Sequence, residues 1–245
     1  MQFNNLLERK QTRREALIRA AAATLAATGL NTPGVIFAQN QITQTPGETA
    51  GPYWIDGMPN RTDIRGNSTG GALRPGFPLK LAINVSKLAN NTVTAVSGAK
   101  VDLWLCDASG NYSGVAQLGT RGQNFLRGYQ LSNAGGNLNF TSIYPGWYRG
   151  RTVHIHFRVR LYSGTRQTYN FVSQFYCNDN ITNQVFATAP YNARPNRDTL
   201  NSNDRVYTGA SQGSGGSVSS NSGAYLLLRL SKTSSQANAS FNVVL

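Results

Sequence analysis

Imidazole, thiol and carboxylate groups are scarce in this sequence of 245 residues. It contains two histidines, two cysteines and ten acidic residues, against 23 lysines and arginines. Two cysteines cannot by themselves build a cysteine-based metal site. The net charge of +13 favours anionic partners. The basic residues are scattered along the chain rather than clustered, so nucleic acid is not expected as a partner.

Amphipathic segments of helical length are also missing after residue 38. Short segments with strand-like alternation take their place, and clusters of glycine or asparagine separate many of them. The composition of residues 211–223 predicts a flexible loop. This pattern predicts an all-β fold, a β-sandwich with an extended N-terminal arm. The predicted strands are residues 78–86, 99–107, 137–144, 152–162, 168–177, 224–231 and 239–245.

The two cysteines, Cys106 and Cys177, each fall in a predicted strand. A disulfide would form in an oxidising compartment, whereas buried free thiols would pack as small apolar groups. Both interpretations remain open at the level of sequence.

The first 38 residues indicate a targeting segment rather than part of the fold. Arg13 and Arg14 precede an alanine-rich apolar stretch, and Ala38 offers a small residue for cleavage. This arrangement resembles a twin-arginine export signal, and an amphipathic helix is the alternative. We therefore expect an exported protein, periplasmic or extracellular, with no transmembrane segment beyond the signal. Whether the signal is cleaved near Ala38 stays open.

Both histidines lie on one predicted strand, TVHIHFRVRLY (152–162). His154 and His156 are two residues apart, so they project from the same face, with Cα atoms separated by roughly 6.5–7 Å. Arg158 and Arg160 share that face, and apolar residues occupy the opposite one. Two imidazoles on one face can converge on a single metal ion. The alternative is a pair of ordinary polar residues on a solvated strand.

A metal ion as a rule needs more than two protein ligands, and no third histidine exists. Two tyrosines stand out: Tyr112 follows the strand that ends at Asp107, and Tyr148 precedes His154 by six residues. A phenol becomes a ligand when a strongly polarising cation removes its proton, which favours Fe(III) over zinc. Packing with a solvated hydroxyl is the alternative role for each tyrosine. A copper site built from tyrosine and histidine is allowed by ligand type, but no pattern supports it.

Five segments follow one another between residue 45 and about residue 208: TPGETAGPYWI, GAKVDLWLCDASGNYSG, FLRGYQLSNAGGNLNFTSIYPGWY, GRTVHIHF and VSQFYCND. In this order they resemble the intradiol ring-cleaving dioxygenases, a non-haem iron family that acts on catechol, protocatechuate and hydroxyquinol.

The resemblance implies a site residue by residue. The implied Fe(III) ligands are Tyr112, Tyr148, His154 and His156. The implied catalytic residues are Arg151, which stabilises the anionic ring, Gln174, which lines the pocket, and Tyr148, which leaves the metal and accepts a substrate proton. The residues expected at the substrate pocket are Pro52, Tyr53 and Trp147.

The resemblance also implies the reaction: O2 cleaves a catechol-type aromatic diol between its two hydroxylated carbons and yields a cis,cis-muconate-type diacid. The expected organisation is a signal segment (1–38), an extended arm (39–75) and a catalytic β-sandwich domain (76–245). The expected partners are a small aromatic diol and O2, and homo-oligomerisation stays open. The alternative is a non-catalytic β-sandwich module that binds carbohydrate or aromatic polymers through its three tryptophans. We favour the enzyme because every implied ligand position carries the required side chain.

Overall fold

Two β-sheets pack face to face in a computed structural model that describes residues 43–210 and 221–245. One sheet has the strand order β2-β1-β9-β8, with β5 also paired to β1, and the other has the order β4-β3-β6-β7. Only the β1–β9 pairing is parallel among these strands. The predicted all-β sandwich is therefore confirmed. The strands are β1 (Pro78–Ala89), β2 (Thr92–Ala95), β3 (Lys100–Trp104), β4 (Arg127–Leu131), β5 (Asn137–Ile143), β6 (His154–Ser163), β7 (Arg166–Tyr176), β8 (Arg229–Lys232) and β9 (Ala237–Val244).

The core lies between the sheets because alternate residues of the long strands are apolar. In β1, Leu79, Leu81 and Ile83 are buried while their neighbours along the strand face outward. From the other sheet, Phe157 of β6 stacks on Phe175 of β7 with ring centroids 4.0 Å apart. The apolar face predicted for β6 therefore points into the core and leaves its histidine face on the outer side of this sheet.

A short helix, α1 (Asp179–Phe186), follows β7 and was not predicted, because the sequence after residue 38 shows no amphipathic stripe of helical length. Asn178 caps it by accepting hydrogen bonds from the backbone N–H groups of Asn180 and Ile181. The helix has two turns and buries only Thr182 and Val185, which is too little to produce an amphipathic stripe in the sequence.

Strands β2 and β4 were not expected either. All four residues of β2 are exposed, and β4 reads RGYQL, without the apolar alternation that indicates a strand. The predicted strand 224–231 is wrong in its first half, because Ser222–Leu226 forms a 3₁₀ helix and β8 begins at Arg229. A β-carbon at Gly223 would clash with the Tyr207 ring, so the close packing of this 3₁₀ helix on Tyr207 requires glycine.

Several expectations fall on residues that the structure does not describe. The signal segment (1–38) and residues 211–220 of the predicted loop lie outside the described residues. Residues 43–75 form no helix and no strand, only isolated bridges such as Asn60 with Tyr129 and Asp63 with Thr141. Within the described ranges, no helix combines the length and apolar character needed to cross a membrane.

Cys106 and Cys177 are free and buried. Burial raises the pKa of each thiol to about 12, so both stay protonated near neutral pH. Of the two interpretations that the sequence left open, buried free thiols are the one found.

Candidate metal centre and active site

The outer face of β6 carries the two histidines into a buried pocket. His154 and His156 are 2% and 1% exposed. The Nδ1 atom of His154 donates a hydrogen bond to the backbone carbonyl of Thr152 at 2.6 Å. Because a carbonyl can only accept, Nδ1 carries the proton, and the lone pair of the neutral imidazole lies on Nε2.

His156 is oriented by packing. Its ring stacks on Trp104 of β3 with centroids 4.9 Å apart and ring planes within 2° of parallel. Burial lowers the pKa of both histidines well below the usual value, and the nearby Arg151 charge adds to this shift. Both imidazoles are therefore neutral near pH 7, the form that binds metals.

Two tyrosine hydroxyls lie close to Nε2 of His154. The hydroxyl oxygens of Tyr148 and Tyr112 lie 3.2 Å and 3.4 Å from Nε2 of His154. The Nε2 atom of His156 lies 3.1 Å from it. Two atoms that each bind one metal ion at about 2 Å are at most about 4 Å apart. The four side chains implied by the sequence resemblance thus converge closely enough to share one ion.

The chemistry of this donor set fits a hard trivalent cation. Burial raises the pKa of Tyr148 to about 12 and that of Tyr112 well above the usual value. Both phenols therefore keep their protons near neutral pH unless a strongly polarising cation displaces them. In the described part of the chain, no group of three or more histidine, cysteine or acidic side chains could hold a metal, so a metal here requires the tyrosines.

Arg151 lies next to the donor atoms in a network of buried polar groups. Its Nη2 donates to Oε1 of Gln174 at 2.6 Å, and its Nε donates to Oδ2 of Asp204 at 2.9 Å. Burial by itself lowers the pKa of Arg151, but the interactions with Tyr148 and Asp204 outweigh it and raise the pKa overall. The guanidinium is therefore a fixed positive charge, and Gln174 holds one end of it.

An arm segment, residues 45–56, covers the histidine face of this sheet. Tyr53 stacks on Tyr112 with centroids 4.6 Å apart, and Trp54 packs edge-on against Trp104 at 4.7 Å. Arg158 lies over the Trp54 ring at 4.0 Å. The predicted polar face of β6 is therefore occupied by the arm and is not a solvated strand face.

Asp56 anchors the end of this arm segment. Its two carboxylate oxygens each accept a 2.9 Å hydrogen bond from the guanidinium of Arg160, which also pairs with Asp102 of β3. The Asp56 pKa is lowered, first by its hydrogen bonds to Arg160. This paired charge links the arm to two strands of the sheet.

Of the residues expected at the substrate pocket, Pro52 and Tyr53 line a cavity of about 430 Å³ together with Ile55 and residues 114–118. The four donor side chains are not part of its lining, and Tyr53 lies between the cavity and Tyr112. Trp147 packs against the core beneath Arg194, whose Nη1 donates to the Trp147 carbonyl at 2.8 Å. A pocket role for Trp147 stays a prediction.

Sequence reasoning missed the residues that support the ligands. Asp204 follows a 3₁₀ segment far from the histidine strand in sequence, yet its Oδ2 also accepts from the Thr152 N–H at 2.7 Å. Trp104 was considered only as part of a binding surface, but it is the stacking partner of His156. The sequence offered one signal for Trp104, its place in the predicted apolar strand VDLWLCD. A strand pattern does not indicate which side chains of neighbouring strands will touch.

Fold and donor set together define a β-sandwich protein with one buried site of two histidines and two tyrosines. The family model described as Dioxygenase matches residues 49–202, which is more than half of the chain. The chain belongs to the intradiol ring-cleavage dioxygenase family. A search of curated proteins returned no match.

Solved structures show the same fold. An intradiol ring-cleavage dioxygenase from Tetranychus urticae is 25% identical, with a TM-score of 0.67 over 83% of this chain and 94% of that one. The dioxygenase domain of a dioxygenase carbohydrate-binding protein fusion from Streptomyces sp. SirexAA-E is 23% identical, with a TM-score of 0.53 over 83% of this chain and 98% of that one. A hydroxyquinol 1,2-dioxygenase from Pseudomonas putida DLL-E4 is 20% identical, with a TM-score of 0.53 over 84% of this chain and 68% of that one. The family expected from the sequence is thereby confirmed.

The contact between the arm and the site predicts an effect of Gly51→Ala. Gly51 has φ +65°, and a β-carbon there would lie 3.2 Å from Cε1 of His156, which is held in place by Trp104. Gly57→Ala is the matched control, since Gly57 has φ +77° but no atom within 4 Å of the added carbon. Each variant should lose about 1 kcal/mol of unfolding free energy from backbone strain. Gly51→Ala should lose about 1 kcal/mol more from overpacking, measured by urea denaturation. Equal losses in both variants would contradict the arm–histidine contact.

Proposed function

We propose that this protein is an Fe(III)-dependent intradiol dioxygenase that cleaves a catechol-type diol with O2 and yields a cis,cis-muconate-type diacid. The observation that carries the proposal is that Nε2 of His156 and the hydroxyl oxygens of Tyr112 and Tyr148 all lie within 3.4 Å of Nε2 of His154. Family membership supports catechol-type ring cleavage in general.

Tyr112, Tyr148, His154 and His156 would hold the iron. When bound there, Fe(III) would supply a Lewis acid that withdraws electron density from the diol ring and makes it reactive toward O2. The atoms balance without a further reductant, because both atoms of O2 enter the diacid and one carbon–carbon bond of the ring breaks.

Tyr148 is suited to accept a proton from the diol. Its side chain is half-buried and Tyr112 is fully buried, so Tyr148 is the one with room to turn away from the centre. A phenol whose pKa is raised to about 12 by burial holds a proton firmly once it leaves a cation. We therefore assign proton acceptance to the Tyr148 oxygen and a permanent ligand role to Tyr112.

Arg151 would stabilise negative charge on the bound ring. It is a fixed cation beside Tyr148, and Asp204 and Gln174 restrict its movement. A preorganised charge at a water-excluded site stabilises a developing anion more than the same charge in water. Gln174 then acts as the residue that holds Arg151 in position.

Iron binding predicts a coloured protein. The purified protein should contain about one iron per chain and be reddish, because phenolate-to-Fe(III) charge transfer absorbs visible light. Tyr148→Phe and Tyr112→Phe should each weaken or shift this band, measured by visible absorption with metal analysis. Tyr144→Phe is the matched control, since Tyr144 is buried but bonds Thr182 of α1. A colourless protein that contains zinc would refute the assignment.

Ring cleavage predicts oxygen consumption. With catechol, protocatechuate and hydroxyquinol offered separately, uptake should reach about one O2 per diol consumed, with a muconate-type product identified by mass. If no diol is consumed by protein that contains iron, the proposed function fails.

Removal of the Arg151 charge predicts a loss of rate. Arg151→Met should lower kcat by about 10²- to 10³-fold while the iron band is retained, because a preorganised charge is lost but no ligand is. Asp204 would still accept hydrogen bonds from the N–H groups of Thr152 and Val206, so the fold should persist. Arg149→Met, an exposed arginine two residues away, should change kcat by less than about twofold. Equal effects of the two substitutions would rule out the role given to Arg151.

A further inference from the structure

Glu48 is a buried acid of the arm that the proposed chemistry does not use. Its side chain is almost fully enclosed, with the residue 6% exposed. Oε1 accepts a 2.8 Å hydrogen bond from the Ser222 hydroxyl, and Oε2 accepts a short one from the Tyr176 hydroxyl. With a hydroxyl donor on each oxygen, this arrangement suits the ionised carboxylate.

The Tyr176 hydroxyl lies between Glu48 and Gln174. Its oxygen is 3.5 Å from Oε1 of Gln174, the same atom that accepts from Arg151 at 2.6 Å. The amide of Gln174 cannot turn over freely, because its Nε2 donates to the Thr49 carbonyl at 2.9 Å. One hydroxyl proton therefore has two acceptors, and only one of them is shared with Arg151.

The titratable and charged groups around Glu48 come from three other parts of the chain. Tyr176 belongs to β7, Arg151 precedes β6, and Asp204 follows the 3₁₀ segment Asn201–Asn203. Burial raises the pKa of Glu48 to about 7, and the hydrogen bonds from Tyr176 and Ser222 and the charge of Arg151 oppose this shift. Asp204 adds to the increase. Glu48 is therefore the group in this network that changes charge near neutral pH.

We propose that Glu48 and Tyr176 are positioning residues for Arg151. The direction in which the Tyr176 hydroxyl proton points determines how strongly Gln174 binds Arg151. When Glu48 is ionised, the Tyr176 hydroxyl donates to it, and Oε1 of Gln174 is left to Arg151. When Glu48 takes up a proton from solvent, its carboxyl group donates to the Tyr176 oxygen. The Tyr176 proton then turns toward Oε1 of Gln174, which shares its accepting capacity between Tyr176 and Arg151, so the hydrogen bond to Arg151 weakens.

The direction of the pH effect follows from this exchange. The ionised form of Glu48 is the active form, so activity falls as the pH is lowered through the pKa of Glu48. If the protonated form is inactive, kcat/KM should drop by about tenfold between about pH 8 and about pH 6. This consequence for rate rests on the proposed dioxygenase function, whereas the proton exchange itself does not.

The first test is the pH dependence of kcat/KM in three variants of the full chain. Glu48→Gln removes the titrating group, and Tyr176→Phe removes the hydroxyl but leaves Glu48 able to titrate. In both variants kcat/KM should no longer fall below neutral pH and should change by less than about twofold between about pH 8 and about pH 6. Tyr144→Phe, which removes a buried hydroxyl from the α1 contact, should keep the wild-type profile. A Tyr176→Phe profile identical to wild type would overturn the inference.

The second test uses infrared difference spectra of the substrate-free protein during a pH titration, and it needs no activity. In wild type, a carboxylic acid band that is absent from Glu48→Gln should appear together with a shift of the Gln174 side-chain carbonyl band, assigned through Gln174→Ala. In Tyr176→Phe the acid band should still appear, but the Gln174 band should stay unchanged. A Gln174 band that never shifts in wild type, or that shifts equally in Tyr176→Phe, would overturn the inference. If the bands behave as expected while no diol is cleaved, the proposed function fails and the proton exchange stands.

Discussion

The hydrogen bond from Nδ1 of His154 to the Thr152 carbonyl is the interaction on which the site depends. It assigns the proton to Nδ1, so Nε2 presents a lone pair where His156, Tyr112 and Tyr148 meet. In the other tautomer, an N–H group would point at this position and exclude a cation. Thr152 is itself held by Asp204, so this tautomer depends on a loop remote from the histidine strand.

The arm has a second, electrostatic function beyond closing the pocket. By covering the outer face of β6 with Tyr53 and Trp54, it removes the histidines and tyrosines from water. That desolvation keeps the imidazoles neutral and the phenols protonated, so the ligands become anionic only when a strong cation is present. The ion pairs of Asp56 and Asp102 with Arg160 link the arm to the sheet, with Arg160 and Asp102 buried and Asp56 exposed at the surface. The exclusion of water from the site and the protonation state of its ligands therefore depend on the same arm segment.

The alternation of apolar and polar residues predicted the structure correctly where one periodicity extends over a whole strand. The alternation along β6 correctly separated the apolar face from the histidine face, because one side of that strand packs on the core. It failed for α1, whose two turns bury only two side chains, and for β4, where buried Arg127 occupies a strand position expected to be apolar. Arg127 is tolerated there because it donates to the Ser113 carbonyl and hydroxyl, a long-range contact that no pattern reveals.

By itself, the sequence determined the all-β class, the face of the histidine strand and, through its resemblance to a known family, the identity of the four donor side chains. Those features depend on alternation within one strand or on short segments that resemble a known family, so the order of residues alone reveals them. The tertiary structure decided what surrounds the donors: the stacking of Trp104 on His156, the hold of Asp204 on Thr152, and the placement of Glu48 next to Tyr176. These contacts join residues far apart in the chain, and their energies arise from burial and hydrogen bonding that exist only after the two sheets and the arm have packed together.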